Sequence, residues 1–394
     1  MTLPLAGIRI ADFSHVMAGP YATHLLRLLG AEVIKIEPPG RGDAMRDYGT
    51  DRRYDGMAPA FIAVNAGKKS IVLDLKRPED LDTARRIVAR SDVLVENFRP
   101  GVMDRLGLGQ QAMRQQNPRL VYCSVSGYGQ SGPRRDWTAI DNIVQATSGM
   151  MSLGGEPGAP PMRVGFPVVD TLTGQTAAFA ILAALLRRER AADPKSGGEY
   201  IDVAMFDATL AFMASAVVPW LVTGKALERT GNIGYSGQPT SAMFIARDGR
   251  RLSLGVVQQH QFVALARVLG HQEWLQQPLF ADPDSRRANA PGFTAALSAV
   301  FAQRDAAEWE SLLSAHGIPC GMVREIGEAA SLPELEGRQL LLPLTVPGLP
   351  QREAVHVLGA GFRSESGIET RPGAPPRPDQ HRREILDWLA GDGV

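Results

Sequence analysis

The sequence predicts an α/β fold: a doubly wound, largely parallel Rossmann-like sheet with a smaller α+β domain. Three observations carry that expectation. Short apolar runs alternate with helical patterns through the N-terminal half of the chain, the loops between them are short and polar, and after Thr240 the texture changes to a hairpin followed by helices. Strands that alternate with helices pair in parallel through helical crossovers, which selects this class.

In chain order, residues 8–12 alternate apolar and polar side chains and read as the first strand. Pro20 suits the first turn of a helix running to Leu29, and Gly30 suits its C-terminal cap. A second strand spans Glu32–Glu37, and the Pro- and Gly-rich residues 38–43 form a loop. Residues 70–75 are a third strand, 79–91 a helix, 92–98 a fourth strand and 120–125 a fifth. In such sheets a ligand lies outside the carboxyl ends of the strands, which here carry residues 14–17, 97–99 and 126–128. No G-x-G-x-x-G follows the first strand, so nicotinamide dinucleotide binding is not indicated.

An apolar run leads into Asp170, and a nearly continuous apolar helix over 177–186 leaves it. Asp170 is therefore expected as the N-cap of that helix, where free backbone N–H groups and the helix dipole favour an ionised carboxylate. The helix ends in Arg187-Arg188-Glu189-Arg190 and reads as too short and too charged to span a membrane. A strand at 200–204, a helix at 206–221 and a Gly-rich connector at 230–239 follow. Residues 241–247 and 250–257 form a hairpin around Asp248-Gly249, and helices are expected at 261–269, 292–302 and 306–316. Beyond Pro333 the chain is Pro- and Gly-rich up to a last helix at 380–389. These features divide the chain into a large domain (1–224), a small domain (225–330) and a segment returning to the large domain (331–394).

Composition narrows the function. Lys plus Arg and Asp plus Glu are both 42, so no net charge draws the chain to nucleic acid or a membrane surface. Two cysteines and seven scattered histidines give neither a disulfide framework nor a metal motif. The first residues lack the pattern of a secretory signal, and the expectation is a cytoplasmic protein.

Several segments, taken together and in order, resemble the class III CoA-transferases. They are residues 12–20 and 30–37, Asn65-Ala66-Gly67-Lys68-Lys69-Ser70, residues 92–101 from Asp92 to Gly101, Ser126-Gly127-Tyr128-Gly129, and the Asp170 segment. The resemblance implies an interlocked homodimer, each chain threaded through its partner, and transfer of CoA between carboxylic acids without ATP. Asp170 is implied as the nucleophile, passing through a mixed anhydride and an aspartyl-CoA thioester. CoA thioesters enter as substrates, and no cofactor or metal is held permanently.

By match to the family's CoA-contacting segments, Val16, Met17, Leu75, Lys76, Asn97, Phe98 and Arg105 are candidates for binding CoA. Core packing for Val16, Leu75 and Phe98, and plain solvation for Lys76 and Arg105, are the competing roles. Asp141 matches an acidic residue of the family's site, with helix capping as its competing role. Gly234, Tyr235, Ser236, Gly237 and Gln238 match a lid loop that is glycine-rich in the family, and Tyr235 and Ser236 depart from that pattern. Pro38 stands where some members carry Arg, and Arg41 is a candidate substitute. Arg163, seven residues before Asp170, is a candidate to hold a second carboxylate, which points to succinyl-CoA and a small dicarboxylic acceptor. Two alternatives stand beside transfer. An α-methylacyl-CoA racemase of this fold needs a His thirty positions before the aspartate, and Ile140 occupies it. A non-catalytic acyl-CoA-binding protein would tolerate loss of Asp170.

Overall fold

The computed structural model describes residues 3–49, 56–193, 195–346, 349, 355–365, 367 and 372–391. Among them, the main sheet has six parallel strands: β1 (Arg9–Asp12), β2 (Glu32–Glu37), β3 (Lys69–Val72), β4 (Val93–Glu96), β5 (Val121–Ser126) and β6 (Glu199–Ala204). Their order is β3-β2-β1-β4-β5-β6. The helices of this part are α1 (Ala18–Leu28), α2 (Pro59–Asn65), α3 (Pro78–Ala89), α4 (Val102–Arg105), α5 (Gln110–Gln116), α6 (Asp141–Thr147), α7 (Met150–Leu153), α8 (Val168–Glu189), α9 (Met205–Phe212) and α10 (Ala214–Thr223).

The alternation of side chains along each strand assigns the two cores. Ile10, Val33, Val93 and Val95 face α1 and α8, where they meet Ala22, Leu26, Ala177 and Ile181. Their neighbours Ala11, Ile34 and Leu94 face the other way, onto Ile87, Met113 and, from the helix Arg382–Ala390, Ile385 and Leu389. All residues of β4 and β5 are buried, as expected where helices cover both faces.

The chain divides into two compact units: Met1–Met151 with Arg163–Gly224 and Pro333–Val394, and Ser152–Met162 with Lys225–Leu332. In the first, the C-terminal segment closes the β3 edge. The Val72 N–H donates to Asp379 Oδ1 (2.8 Å) and the Ser70 N–H to His381 Nδ1 (3.1 Å), pairing groups that an open edge leaves free. A two-stranded sheet, β10-β11 in sequence order (Leu341–Leu344 and Val355–Leu358), also belongs to this unit. The second unit holds the antiparallel sheet β7 (Met243–Ile245), β8 (Arg251–Leu254) and β9 (Cys320–Met322). Its aromatic core contains Phe244, Phe262, Phe293, Phe301, Trp274 and Trp309. The hairpin turn at Asp248-Gly249 places Gly249 at φ +76°, a conformation that suits glycine.

Three elements differ from expectation. β3 ends at Val72 rather than at Leu75, because Asp74 turns the chain by accepting from the Lys76 N–H (3.1 Å). The helix expected over 206–221 breaks at Met213 (φ −87°, ψ 22°), and α9 and α10 meet at a bend of 78°. α8 begins at Val168 and runs 22 residues, long and apolar enough by composition to cross a bilayer. Half of its most apolar stretch is buried here, against α1, α9, β5 and β6.

Candidate active site

Asp170 lies inside the first turn of α8, not at its cap. Pro167 is the N-cap and has no side chain to accept from the free N–H groups of the helix start. Asp141, the first residue of α6, supplies that acceptor: its Oδ2 takes the N–H of Val169 (2.7 Å) and of Asp170 (3.2 Å). Its Oδ1 accepts from Gln145 Nε2 at 2.6 Å, and Gln145 Oε1 accepts the Val164 N–H at 2.9 Å. Asp141 thus caps a helix, but α8 rather than its own. Gly174, one turn beyond Asp170 on the same helix face, meets α1; a Cβ there would lie 2.6 Å from the Ala18 carbonyl oxygen. That contact draws the start of α8 against the N-terminal end of α1. Burial, joined by the charge of Asp141, pushes the Asp170 carboxyl up to about 7. The expected bias toward the ionised form is overturned: a neighbouring carboxylate, not a set of N–H donors, faces this side chain.

The sheet order reverses between β1 and β4, and the loops after these strands flank the resulting crevice. Asn97 ties them together: its Oδ1 accepts the His15 N–H and its Nδ2 donates to the His15 carbonyl, both at 2.8 Å. Val16 follows with φ +67°, a strained value for a β-branched residue, and it is exposed. Its N–H points to Asp43 Oδ1 (3.1 Å), and Asp43 is anchored in turn by buried Lys35 (2.8 Å). Lys35 also donates to the Ser14 carbonyl at 2.8 Å. Beneath the loop, Lys68 Nζ bonds Asp12 Oδ2 (2.9 Å), the Pro20 carbonyl (2.9 Å) and Thr23 (2.8 Å). Buried ion pairs whose cations each bond several acceptors hold one backbone geometry firmly, which is what a strained residue requires.

The other candidates divide. Met17 packs against the cluster of Met45, Met57 and Phe61, while Leu75 and Phe98 pack against the cluster containing Phe13 and Leu73. Phe98 also meets His15 edge-on at 5.5 Å. Lys76, Arg41 and Arg163 are exposed. Arg105 is exposed too, and it converges with a residue that the sequence reading passed over. A Cβ on Gly101 would lie 3.4 Å from Arg105 Nη1 and 3.9 Å from Arg135 Nη2, so both guanidinium groups border one glycine. Beside them Arg134 lies 4.7 Å from the Trp137 ring centre, and Trp137 meets Tyr128 edge-on at 6.1 Å. Arg99 donates to Thr138 Oγ1 at 3.2 Å. The signal in the sequence was the basic and aromatic run Arg134-Arg135-Asp136-Trp137 just past the end of β5.

The segment Gly234, Tyr235, Ser236, Gly237 and Gln238 belongs to the second unit. It is a pinned turn: the Gly234 N–H donates to the Ser241 carbonyl (2.6 Å), and Gln238, buried, donates from Nε2 to the Pro283 carbonyl (3.1 Å). A Cβ on Gly234 would press against Ser241, whose hydroxyl would have to turn aside, while Tyr235 is exposed. Among the described residues, no three His, Cys, Asp or Glu side chains cluster as a metal site would require.

The chain is 40% identical over 382 residues to the acetyl-CoA:oxalate CoA-transferase of Acetobacter aceti, covering 96% of this chain and 94% of that one. It is 32% identical over 388 residues to the succinyl-CoA–D-citramalate CoA-transferase of Chloroflexus aurantiacus, covering 98% and 94%. The succinate–glutarate CoA-transferase of Agrobacterium fabrum is 35% identical over 397 residues, covering 98% and 96%. The crystal structure of a CAIB/BAIF family protein from Brucella suis superposes with a TM-score of 0.87 at 29% identity, covering 99% of this chain and 100% of that one. A family model described as CoA-transferase family III matches residues 5–382, and the chain belongs to that family of CoA-transferases.

Proposed function

We propose that this enzyme moves CoA from succinyl-CoA to a small dicarboxylic acid, with Asp170 as the covalent nucleophile. The observation that carries the reading is the start of α8, where Asp170 stands with a raised carboxyl against Asp141. A carboxylate of higher pKa is the stronger nucleophile once ionised, and burial removes the water that would solvate it. Asp170 attacks the donor thioester carbonyl, the C–S bond breaks, and CoA leaves as thiolate, giving a mixed anhydride. The thiolate attacks the aspartyl carbonyl, the anhydride C–O bond breaks, and the donor acid departs as a carboxylate. The acceptor carboxylate then attacks the aspartyl-CoA thioester carbonyl, the C–S bond breaks to give a second mixed anhydride, and the released thiolate attacks the acceptor carbonyl, breaking the anhydride C–O bond and restoring the Asp170 carboxylate. No net proton or electron moves.

The CoA moiety is assigned to the crevice between the loops after β1 and β4. Val16, Met17, Asn97 and Phe98 line its two sides, and Leu75 and Lys76 extend it. The guanidinium groups of Arg105 and Arg135 are suited to phosphate, and exposed Trp137 to a purine ring. The dicarboxylic acceptor is supported by relatives named for oxalate, citramalate and glutarate, and Arg163 is its candidate second-carboxylate partner. The ten residues of α10 include none that is buried, and Trp220, Leu221 and Val222 are exposed in sequence. A second copy of the chain covering this face, in an interlocked homodimer, accounts for so much apolar surface.

The test is CoA exchange from succinyl-CoA to a panel holding oxalate, glutarate, citramalate and a long-chain fatty acid. Transfer to dicarboxylates, lost in Asp170→Ala and Asp170→Asn, is expected. Transfer to the fatty acid alone would overturn the substrate class, and an active Asp170→Ala would overturn the nucleophile.

A further inference from the structure

We propose that Gln145 is a positioning residue of the transfer reaction, locking Asp141 as the cap of the nucleophile helix and pinning the chain that leads into it. The proposal rests on the reading of Asp170 as nucleophile. Gln145 follows Asp141 by four residues and so shares its face of α6. Its side chain is 1% exposed, and both of its polar ends are used. Only one amide orientation satisfies the neighbours. The NH2 end must face the carboxylate of Asp141, and the carbonyl end must face the Val164 N–H.

The consequence reaches Asp170 by two routes. With Gln145 on Oδ1, and the N–H groups of Val169 and Asp170 on Oδ2, both oxygens of Asp141 are committed and its plane is fixed. Pro167 contributes no cap, so the start of α8 depends on that carboxylate. The second route is the backbone: Gln145 holds Val164, on the segment between Arg163 and the start of α8. Other charged or titratable side chains sit on elements packed against α8: Tyr21, His24 and Arg27 on α1, Asp207 on α9, Tyr122 and Cys123 on β5, and Glu199, Tyr200 and Asp202 on β6. Besides burial, however, Asp141 is the charge that acts on Asp170. Loss of the Gln145 donor frees Asp141 to turn from the helix start, which would disorder the nucleophile and remove the charge beside it.

The experiment uses the full-length enzyme with Gln145→Met, Asp141→Asn and the double variant, followed by transfer kinetics across pH. Gln145→Met is expected to lower kcat by about 10- to 100-fold, the scale of a small misplacement of a reacting group. KM for acyl-CoA should change by no more than about threefold, since the substrate contacts remain. The acid limb of kcat/KM should move to lower pH, and the double variant should be no slower than Asp141→Asn alone. A residue that merely fills space would leave the limb in place and its loss would multiply with that of Asp141→Asn; that result overturns the proposal. Gln145→Leu removes the same donor with a neutral side chain of similar size, so its limb should likewise move to lower pH. It decides the matter if Gln145→Met does not fold, and an unmoved limb again overturns the proposal. Hydroxylamine trapping on the wild type separates the two readings. No label on Asp170 overturns the nucleophile and this proposal together, whereas a labelled Asp170 with unmoved limbs overturns this proposal alone.

Discussion

At the scale of single residues, the governing feature is that burial, joined by the charge of Asp141, holds the Asp170 carboxyl above the ordinary carboxylate range. A nucleophilic carboxylate works only when deprotonated, and kcat/KM reports that ionisation in the free enzyme. With the Asp170 carboxyl pushed up to about 7, kcat/KM should fall as pH drops through that value. An ordinary carboxylate would sustain activity down to about pH 5. Asp141→Asn removes the neighbouring charge, and its acid limb should lie at lower pH than that of the wild type. The same shift has a stability counterpart. Native Asp170 holds its proton to higher pH than the unfolded chain does, so its contribution to stability is lost as pH rises from the ordinary carboxylate range to about 7. Asp170→Asn escapes that loss. Its Tm relative to wild type should therefore increase between about pH 5 and about pH 8, as measured by thermal melts in matched buffers.

At the scale of elements, the site is made by the meeting of α8 with α1 and by the clamp between the β1 and β4 loops. Alanine in place of Gly174 would gain about 1 kcal/mol of helix propensity. A Cβ 2.6 Å from the Ala18 oxygen is closer than real Cβ atoms come, and overpacking costs about 1–3 kcal/mol. Sterics should win: Gly174→Val, whose bulk leaves no escape, is expected to lower both Tm and kcat. Asn97→Leu removes both bonds to His15 and should cost about 1–3 kcal/mol while raising KM for acyl-CoA, measured by urea titration and steady-state kinetics. The strands were legible because a sheet covered on both faces leaves unmistakable apolar runs, as at β4 and β5. The position of Asp170 within α8 was not, because Pro167 removes the local cap and its replacement comes from Asp141, 29 residues earlier (170 − 141 = 29). Arg135 escaped notice for a similar reason. Its approach to Gly101 alongside Arg105 joins the loop after β5 to α4, a juxtaposition that no periodicity encodes.

At the scale of the whole molecule, an apolar α10 with none of its residues buried exposes a face that the proposed second copy would cover, and a threaded copy would not leave on dilution. Differently tagged dimers mixed under native conditions should yield no hybrids over days, whereas rapid hybrid formation would show that the chains are not linked. The central claim concerns the assembled enzyme in turnover: an acyl group or CoA passes through a covalent bond to Asp170. Hydroxylamine added with succinyl-CoA should inactivate the enzyme, and peptide mapping by mass spectrometry should find one hydroxamate, on Asp170, with none formed when acyl-CoA is omitted. A hydroxamate on another residue, or full activity after the same treatment, would contradict the account.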